Sequence, residues 1–505
     1  MLVQYILFSL TTLVLSLSGW FGVAYFVNKC RKLNTLLAFS IGSLLFLVFF
    51  LLYGLILFYL NIFNRITLVI PLFFLSPFAF KFIGMLNRET KILLLLFIFQ
   101  FSLGILLQLF IPYYPIGGDW FSHYQTSSSY LTSGEITFLN GRPPVFNFLS
   151  AIYLEIFSDN FWIFQIISVF LSSMIVMPIY LIAKIFHEKS AVITIVFVIL
   201  NSFILQNTIY TWPKNLTAFF VLFFFYFIIK KQSLLSILPA ALALYTNPIS
   251  LFYIPAGYIY GYFRKNKNLF KSITVLCLIF LPFAMYSVFK TGSGETTPFV
   301  LYTIAVNGYE RLITDTPSET FQGFLSKSPH YIIGIRVINA IMTAFPALLS
   351  LKFLALFTEL PIIHIQKTVV ISQVPLLYHF MHSIPGVLST GVYIFCIIGL
   401  YKLFKTNKNM LFLIIAPLIF GIIYWGWIKA GLINDLFHPT VPLLIMVAVS
   451  QMKSKKMIYA ALFVMLLEGI IFSYVYISSI DDFIRTTTNQ QMLGVDSVNR
   501  ILFNK

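Results

Sequence analysis

The chain has 505 residues, of which 59% are hydrophobic and only 10% are charged. Soluble domains carry about 25% charged residues, so the composition excludes a soluble globular protein and predicts one embedded in a lipid bilayer. The net charge of +17 does not indicate nucleic-acid binding, because Lys and Arg lie in short clusters between apolar runs.

Apolar runs long enough to cross the hydrocarbon layer recur along the whole chain. A spanning helix needs about 20 apolar residues, and this length predicts an all-α polytopic membrane protein with about 13–14 transmembrane helices and surface-lying helices in external loops. The predicted spans are 2–27, 33–60, 66–86, 92–112, 161–186, 190–207, 215–229, 233–247, 250–263, 269–289, 384–404, 409–428, 439–451 and 457–477. Residues 330–380 are apolar but broken by prolines and charges, and form either two more spans or amphipathic helices on the membrane surface.

The basic clusters predict the orientation of the protein. If the spans alternate, 20 of the 33 basic residues fall on one side, which the positive-inside rule assigns to the cytoplasm. This alternation requires that residues 144–157 do not cross the membrane. We therefore expect Pro143 and Pro144 to open a short helix lying along the membrane surface. The segments expected on the external side are 113–160, 290–330, 429–438 and the tail after 478.

Four regions follow from this pattern. Residues 1–91 form N-terminal transmembrane helices, and residues 92–289 form a catalytic transmembrane core with the first external loop at 113–160. Residues 290–383 hold an external loop with amphipathic or membrane segments, and residues 384–505 hold C-terminal transmembrane helices and an external tail. The three cysteines have no paired spacing, so neither a disulfide framework nor a zinc site is expected.

The first external loop contains a candidate catalytic acid. Residues 115–124 read PIGGDWFSHY, and the two glycines before Asp119 allow a tight turn and the close approach of a ligand. If residues 119–131 are helical, Asp119 and His123 lie one turn apart on the same face. Asp119 is then either a general base, with the histidine orienting it, or a helix N-cap.

Two cations and a second acid accompany Asp119 on the predicted external side. Arg142 could bind a phosphate through two hydrogen bonds, or could extend to lipid headgroups as an interfacial arginine. Lys214, within the aromatic segment YTWPKN, either binds an anion or is an ordinary loop lysine. Glu135 either approaches the site or belongs to a plain turn.

A late external loop adds three further candidates. Lys429, Asp435 and His438 lie at the mouth of a predicted span, just before Pro439. His438 could hold a phosphate oxygen or a substrate hydroxyl, or could lie beside the aromatic belt of the membrane interface. The three residues are candidate substrate-binding groups.

Several common sites have no sequence signature. The chain has no Gly-x-x-x-x-Gly-Lys loop, no Gly-x-Gly-x-x-Gly, no His-Glu-x-x-His and no Cys-x-x-Cys, which argues against nucleotide hydrolysis, dinucleotide redox chemistry and zinc proteolysis by those devices. Inside the predicted spans Glu468 is the main ionisable residue. Ion-coupled carriers usually need such groups in mid-membrane, so an ion-driven pump is not indicated.

The first external loop resembles that of the C-type membrane glycosyltransferases, in particular the protein O-mannosyltransferases and the lipid A aminoarabinose transferases. In that family an acidic residue follows a membrane helix, and a His/Lys-Pro-Pro-Leu element comes later. Here Asp119 and the segment RPPV at 142–145 stand in those places. The segment FHPTVP at 437–442 is similar to the family's late Pro element at a helix mouth. The three spans before residue 92 would be an N-terminal addition.

The resemblance implies an inverting transfer of one hexose or pentose. The donor would be a polyprenyl-phosphate or dolichyl-phosphate sugar held in the bilayer, and the acceptor a protein, lipid or glycan on the external face. Asp119 would be the catalytic base, and Arg142, Lys214 or His438 would stabilise the departing phosphate. The family's acidic pair is a single Asp here, which weakens the case for a metal pair. No cofactor is therefore assigned, and a divalent metal is the only candidate.

Two other functions fit the same composition. A flippase for lipid-linked oligosaccharides, or a polysaccharide transporter, would place cations along a cavity between its spans. A polymerase or ligase of lipid-linked glycans would place its key Arg and His in one large late loop, which residues 290–383 could supply.

Overall fold

The computed structural model describes residues 2–110, 119–136, 143–247, 249–289, 329–344, 383–424 and 437–488, which form helices and turns without strands. The helices are α1 (Leu2–Arg31), α2 (Thr35–Tyr59), α3 (Arg65–Gly84), α4 (Arg88–Phe110), α5 (Asp119–Ser133), α6 (Pro144–Ile156), α7 (Phe161–Ser173), α8 (Val176–His187), α9 (Ala191–Leu200), α10 (Ser202–Ile209), α11 (Lys214–Ile229), α12 (Ile237–Leu244), α13 (Ser250–Phe263), α14 (Leu269–Phe289), α15 (Pro329–Ala344), α16 (Ile384–Leu388), α17 (Thr390–Thr406), α18 (Lys408–Tyr424), α19 (Thr440–Val449) and α20 (Lys455–Thr488). The predicted all-α class is confirmed.

Within these ranges, five helical stretches are long and apolar enough to cross a membrane, or six if the bent pair α10–α11 counts as one span. Other predicted spans are divided by polar residues. Asn201 ends α9 and accepts the N–H of Ile204 at 3.2 Å, which starts α10. Ser389, with φ of 73°, separates α16 from α17. The multi-pass character is therefore supported, and the number of 13–14 spans stays a prediction.

Helices α1, α2 and α3 pack closely at the start of the chain. Trp20 stacks on Phe39 with ring centroids 4.4 Å apart, and its Nε1 donates a hydrogen bond of 2.7 Å to the Phe39 carbonyl. A Cβ atom on Gly42 would lie 2.8 Å from Cβ and 2.9 Å from Cα of Ala24. Glycine is needed at position 42 because the backbones of α1 and α2 approach closely there, as is common where membrane helices associate by van der Waals packing.

Polar contacts mark the two ends of the N-terminal bundle. At one end the Lys184 ammonium lies 2.6 Å from the Glu89 carboxylate. At the other end the Arg65 guanidinium donates a hydrogen bond of 2.6 Å to the Phe157 carbonyl. Helices α7 and α8 therefore run from the Arg65 end to the Glu89 end. The starts of α3 and α4 lie at opposite ends, as alternating spans require.

The apolar stretch 161–200 turns back on itself. His187, with φ −159° and ψ 85°, interrupts the helix at the end of α8. Before this break α8 reaches Glu89 of α4; beyond it, Thr208 accepts a hydrogen bond of 3.3 Å from Gln100 of the same helix. Glu89 and Gln100 lie about 16 Å apart along α4, since each helical residue rises about 1.5 Å. The chain therefore returns along α4.

The predicted external loop at 113–160 contains α5 and α6. Helix α6 begins at Pro144, and the extended Pro143 precedes it, so the predicted start is confirmed. Eleven of its 13 residues are buried, and Ile152 occupies the space beside Gly54 of α2. Helix α6 is therefore enclosed by protein, whereas the sequence led us to place it along the membrane surface. It is apolar around most of its circumference, and such helices are buried.

The C-terminal helices pack against α9, α10 and α13. Asn201 Nδ2 donates a hydrogen bond of 2.8 Å to the Val387 carbonyl, which joins α16 to the start of α10. Glu468 of α20 accepts the backbone N–H of Thr390 at 3.0 Å. A carboxylate at a helix N-terminus is stabilised by the helix dipole, so Glu468 caps α17.

Residues 330–380 are described only as far as α15. Arg336 of α15 donates a hydrogen bond of 2.9 Å from Nε to the Ile423 carbonyl of α18. The choice between two further spans and surface helices concerns residues that lie mostly outside the described ranges.

Candidate functional site

Asp119 is the first residue of α5, which continues to Ser133. The condition that residues 119–131 are helical is therefore met. Asp119 and His123 are four residues apart on this helix, and residues at this spacing lie on the same helical face. Asp119 therefore begins a helix, and the helix dipole favours negative charge at that end.

His123 is buried and attached to α6. Its Nδ1 lies 2.8 Å from the side-chain oxygen of Asn147. The Phe146 ring meets the imidazole edge-to-face, with centroids 5.4 Å apart and an interplanar angle of 90°. A polar contact and an aromatic contact from consecutive residues of α6 therefore fix the plane and rotation of the imidazole.

The α5–α6 interface is polar on both sides although apolar protein surrounds it. His123, Ser127 and Tyr130 follow one another at helical spacing on α5, opposite Asn147 and Ser150 of α6, and all five are buried. Burial raises the pKa of the Tyr130 phenol and the nearby Asn147 amide lowers it, but neither the hydroxyl nor Asn147 Nδ2 makes a hydrogen bond of normal geometry to a described residue. The interface therefore holds α5 in register with α6.

A second attachment holds the middle of α5. The Ser128 hydroxyl donates a hydrogen bond to the carboxylate of Asp159, and the Tyr124 phenol lies near the same carboxylate. Burial, followed by the Asp159 charge, raises the pKa of Tyr124, so the phenol keeps its proton and stays a donor. Asp159 directly precedes Asn160, which caps α7. Helix α5 is thus fixed to both neighbouring helices.

Sequence reasoning did not select Asn147 or Asp159 as site residues. Asn147 is one of few polar residues in the otherwise apolar PVFNFLSAIYLEI of α6, and burying an amide is costly unless it is hydrogen-bonded. A polar residue in an apolar helix was therefore the sequence signal that could have identified Asn147. Asp159 had only its place in the predicted external loop at 113–160.

Glu135 lies in the turn that ends α5. Gly134 has φ of 64°, a left-handed conformation that glycine adopts without strain. The Glu135 N–H donates to the Ser133 hydroxyl at 3.2 Å, and Glu135 is exposed. These contacts correspond to the plain-turn interpretation, and the predicted substrate-binding role of Glu135 stays a prediction.

Lys214 is the first residue of α11, directly after a sharp bend of 117° between α10 and α11. Its ammonium lies 3.7 Å from the centroid of the Trp212 ring, and Trp212 stacks on Tyr210 with centroids 4.6 Å apart. Gln108, near the end of α4, donates a hydrogen bond of 3.0 Å to the Ile209 carbonyl. The bend is therefore near the end of α4 that precedes the Asp119 loop.

His438 is buried just before α19. Its ring lies 4.8 Å from the Phe203 ring of α10, and two residues later Thr440 Oγ1 lies 3.0 Å from the Tyr253 hydroxyl of α13. His438 thus adjoins one end of α10, and Lys214 follows the other end. These two candidate cations therefore lie near opposite ends of the same eight-residue helix.

Three candidates, Arg142, Lys429 and Asp435, lie outside the described residues, as does the side chain of Asp119. Of the remaining candidates, Asp119, His123 and Glu135 belong to α5 and its terminal turn. In the part of the chain that the structure describes, no three His, Cys, Asp or Glu side chains gather in a group that could hold a metal ion.

Comparisons with protein-family models, with curated proteins and with solved structures find no match for this chain.

Proposed function

We propose that the protein is a membrane glycosyltransferase that moves one sugar from a polyprenyl-phosphate donor to an acceptor on the external face. The observation that carries the proposal is the attachment of α5. Asp119 begins this helix, and His123, one turn later, is fixed by Asn147 at 2.8 Å. A rigidly held helix with an aspartate as its first residue suits a general base, since catalysis needs the base in a fixed position.

In the proposed reaction, the Asp119 carboxylate takes the proton of the acceptor hydroxyl. The hydroxyl oxygen forms a bond to the anomeric carbon from the face opposite the phosphate. The bond from that carbon to the phosphate oxygen breaks, and the lipid phosphate leaves with the electron pair. The configuration at the anomeric carbon is inverted.

The departing phosphate gains negative charge in the transition state, and cations placed there lower the barrier. Lys214 and His438 adjoin the two ends of α10, and we assign them to this role together with Arg142. Lys429, Asp435 and Glu135 are assigned to binding the hydroxyls of the substrates.

Replacing Arg142 with Ala is expected to raise the KM for the lipid donor about tenfold or more, because a charge-assisted hydrogen bond to phosphate is worth about 1.5–3 kcal/mol. The KM for the acceptor should change much less. Arg142→Lys keeps the charge without the two-pronged geometry, so an intermediate KM is expected. A rise confined to the acceptor KM would reject the phosphate role.

The orientation of the protein in the membrane is part of the proposal. Cys30 is exposed at the end of α1 beside Lys29 and Arg31, which we assign to the cytoplasm. A variant with Cys30 as its only cysteine should react with a membrane-impermeant maleimide only after cells are permeabilised. A cysteine-free variant carrying Glu135→Cys should react in intact cells. The reverse pattern would place the Asp119 loop in the cytoplasm and remove the basis for an external acceptor.

The buried polar groups favour a glycosyltransferase over a flippase. Among residues whose burial is described, the buried polar side chains are Ser, Thr, Asn and Gln together with two histidines. A cavity that conducts a lipid-linked polyanion would be expected to carry buried Lys or Arg. The described interior instead contains mainly uncharged hydroxyl and amide side chains. A polymerase or ligase based on residues 290–383 would use residues mostly outside the described ranges.

The proposal is tested by incubating the purified protein in nanodiscs with labelled polyprenyl-phosphate sugars and an acceptor extract. Protein-dependent movement of label from lipid to acceptor supports it, and the anomeric configuration of the product tests inversion.

A further inference from the structure

Asn147 is a polar residue of α6 whose side chain contacts the candidate site residue His123. It is fully buried, within a helix whose neighbouring side chains are Phe146 and Phe148. Its oxygen lies 2.8 Å from Nδ1 of His123. Burying an amide in apolar surroundings costs free energy unless the amide is hydrogen-bonded. The contact with the imidazole supplies a hydrogen bond to the Asn147 oxygen.

The contact determines which ring nitrogen carries the hydrogen. An amide oxygen only accepts hydrogen bonds, so Nδ1 must donate its hydrogen to Asn147. In the neutral imidazole the lone pair then belongs to Nε2. The partner of one ring nitrogen thus decides the chemistry of the other.

We propose that Asn147 is a positioning residue that fixes the proton of His123 on Nδ1, so that Nε2 is the proton-accepting atom of the site. This inference rests on the proposed function. His123 lies one turn from Asp119, and a lone pair on Nε2 lets the imidazole accept the proton that Asp119 takes from the acceptor hydroxyl. The proton then leaves from the imidazolium to water, and both groups return to their starting states.

Several titratable groups lie on the helices and segments next to His123. The other titratable residues of α5, α6 and the segment leading to α7 are Asp119, Tyr124, Tyr130, Glu135, Tyr153, Glu155 and Asp159. Tyr124 is engaged with Asp159, and Tyr153 with Ser16 of α1 at 2.7 Å. The Asn147 oxygen makes Nδ1 the hydrogen-bond donor of the His123 ring.

The test measures the tautomer directly. Protein labelled with ¹⁵N-histidine is studied in nanodiscs by NMR, and the resonances that vanish in His123→Ala identify this ring. In the wild type we expect Nδ1 protonated and Nε2 bare. In Asn147→Leu this preference should be lost. In Asn147→Asp it should persist, because a carboxylate also accepts from Nδ1. Ser150→Ala, one turn further along α6, is the matched control and should keep the wild-type spectrum.

Turnover provides the second measurement. Asn147→Leu should lower kcat about 10- to 100-fold, the usual effect of removing a partner that orients a reactive histidine, with little change in either KM. Asn147→Asp should restore much of the rate and shift its pH profile upward, since a nearby negative charge favours imidazolium.

A wild-type ring with its proton on Nε2 overturns the inference, and so does an Asn147→Leu variant that keeps the Nδ1 proton and full turnover. If Asn147→Leu fails to fold, the wild-type tautomer and the pH profile of Asn147→Asp decide. A wild type that transfers no sugar but shows the Nδ1 proton would reject the proposed function and leave the tautomer assignment standing.

Discussion

Asp119→Asn is expected to lower kcat for sugar transfer by at least about 100-fold, because a positioned general base contributes about 10²- to 10⁴-fold to such reactions. An amide cannot take a proton from the acceptor hydroxyl. Asn nevertheless has the shape of Asp and caps helix N-termini equally well, so α5 should still begin at residue 119. Expression, membrane insertion and elution from a size-exclusion column should match the wild type.

Asp159→Asn is the matched control for this substitution. Asp159 is also an acidic residue of the predicted external loop, and its carboxylate accepts a hydrogen bond from Ser128. An amide oxygen can still accept a hydrogen bond, so transfer should stay within about twofold of the wild type, as expected of a surface substitution. Equal and normal rates for both variants would remove Asp119 from the catalytic role.

Gly42→Leu is expected to lower the stability of the folded protein substantially. A Cβ atom alone would lie 2.8 Å from Cβ and 2.9 Å from Cα of Ala24, and backbone cannot yield as a flexible side chain can. Overpacking typically costs about 1–3 kcal/mol, occasionally more, and a whole leucine side chain should reach the upper part of this range. The temperature at which half the protein stays monodisperse in detergent should fall by several degrees.

Gly334→Leu separates this clash from the general effect of changing a helical glycine. Position 334 lies within α15, and a Cβ there meets no described atom within 4 Å. Replacing glycine in a helix with leucine gains roughly 0.5–1 kcal/mol of helix propensity, so this variant should be at least as stable as the wild type. Equal losses at both positions would contradict the close approach of α1 and α2.

The length of apolar runs was enough to predict where helices exist. The predicted spans 33–60 and 66–86 correspond to α2 and α3 within two residues at each end, because a long apolar segment in a bilayer must form a helix to satisfy its backbone. Local chemistry also predicted the start of α6, since proline is favoured in the first turn of a helix. These features depend on neighbouring residues alone.

Contacts between distant residues were not predictable in the same way. The length of the apolar run predicted a single span over 190–207, but Asn201 caps a new helix within it. Apolar length also gave no reason to expect α6 to be buried against α2 and α3. In the candidate site, the spacing of Asp119 and His123 followed from helical periodicity. The contact of His123 with Asn147 did not, because it depends on how two helices pack after a connection that no local pattern specifies.

We propose that this protein transfers a sugar from a lipid-phosphate donor. The most direct measurement uses wild type and Asp119→Asn in nanodiscs, each with radiolabelled polyprenyl-phosphate mannose, glucose or arabinose and a membrane extract as acceptor. We expect one donor to pass its label to the acceptor with the wild type and not with Asp119→Asn. No transfer from any donor, together with wild-type-dependent movement of a lipid-linked glycan between leaflets, would contradict it and identify a flippase.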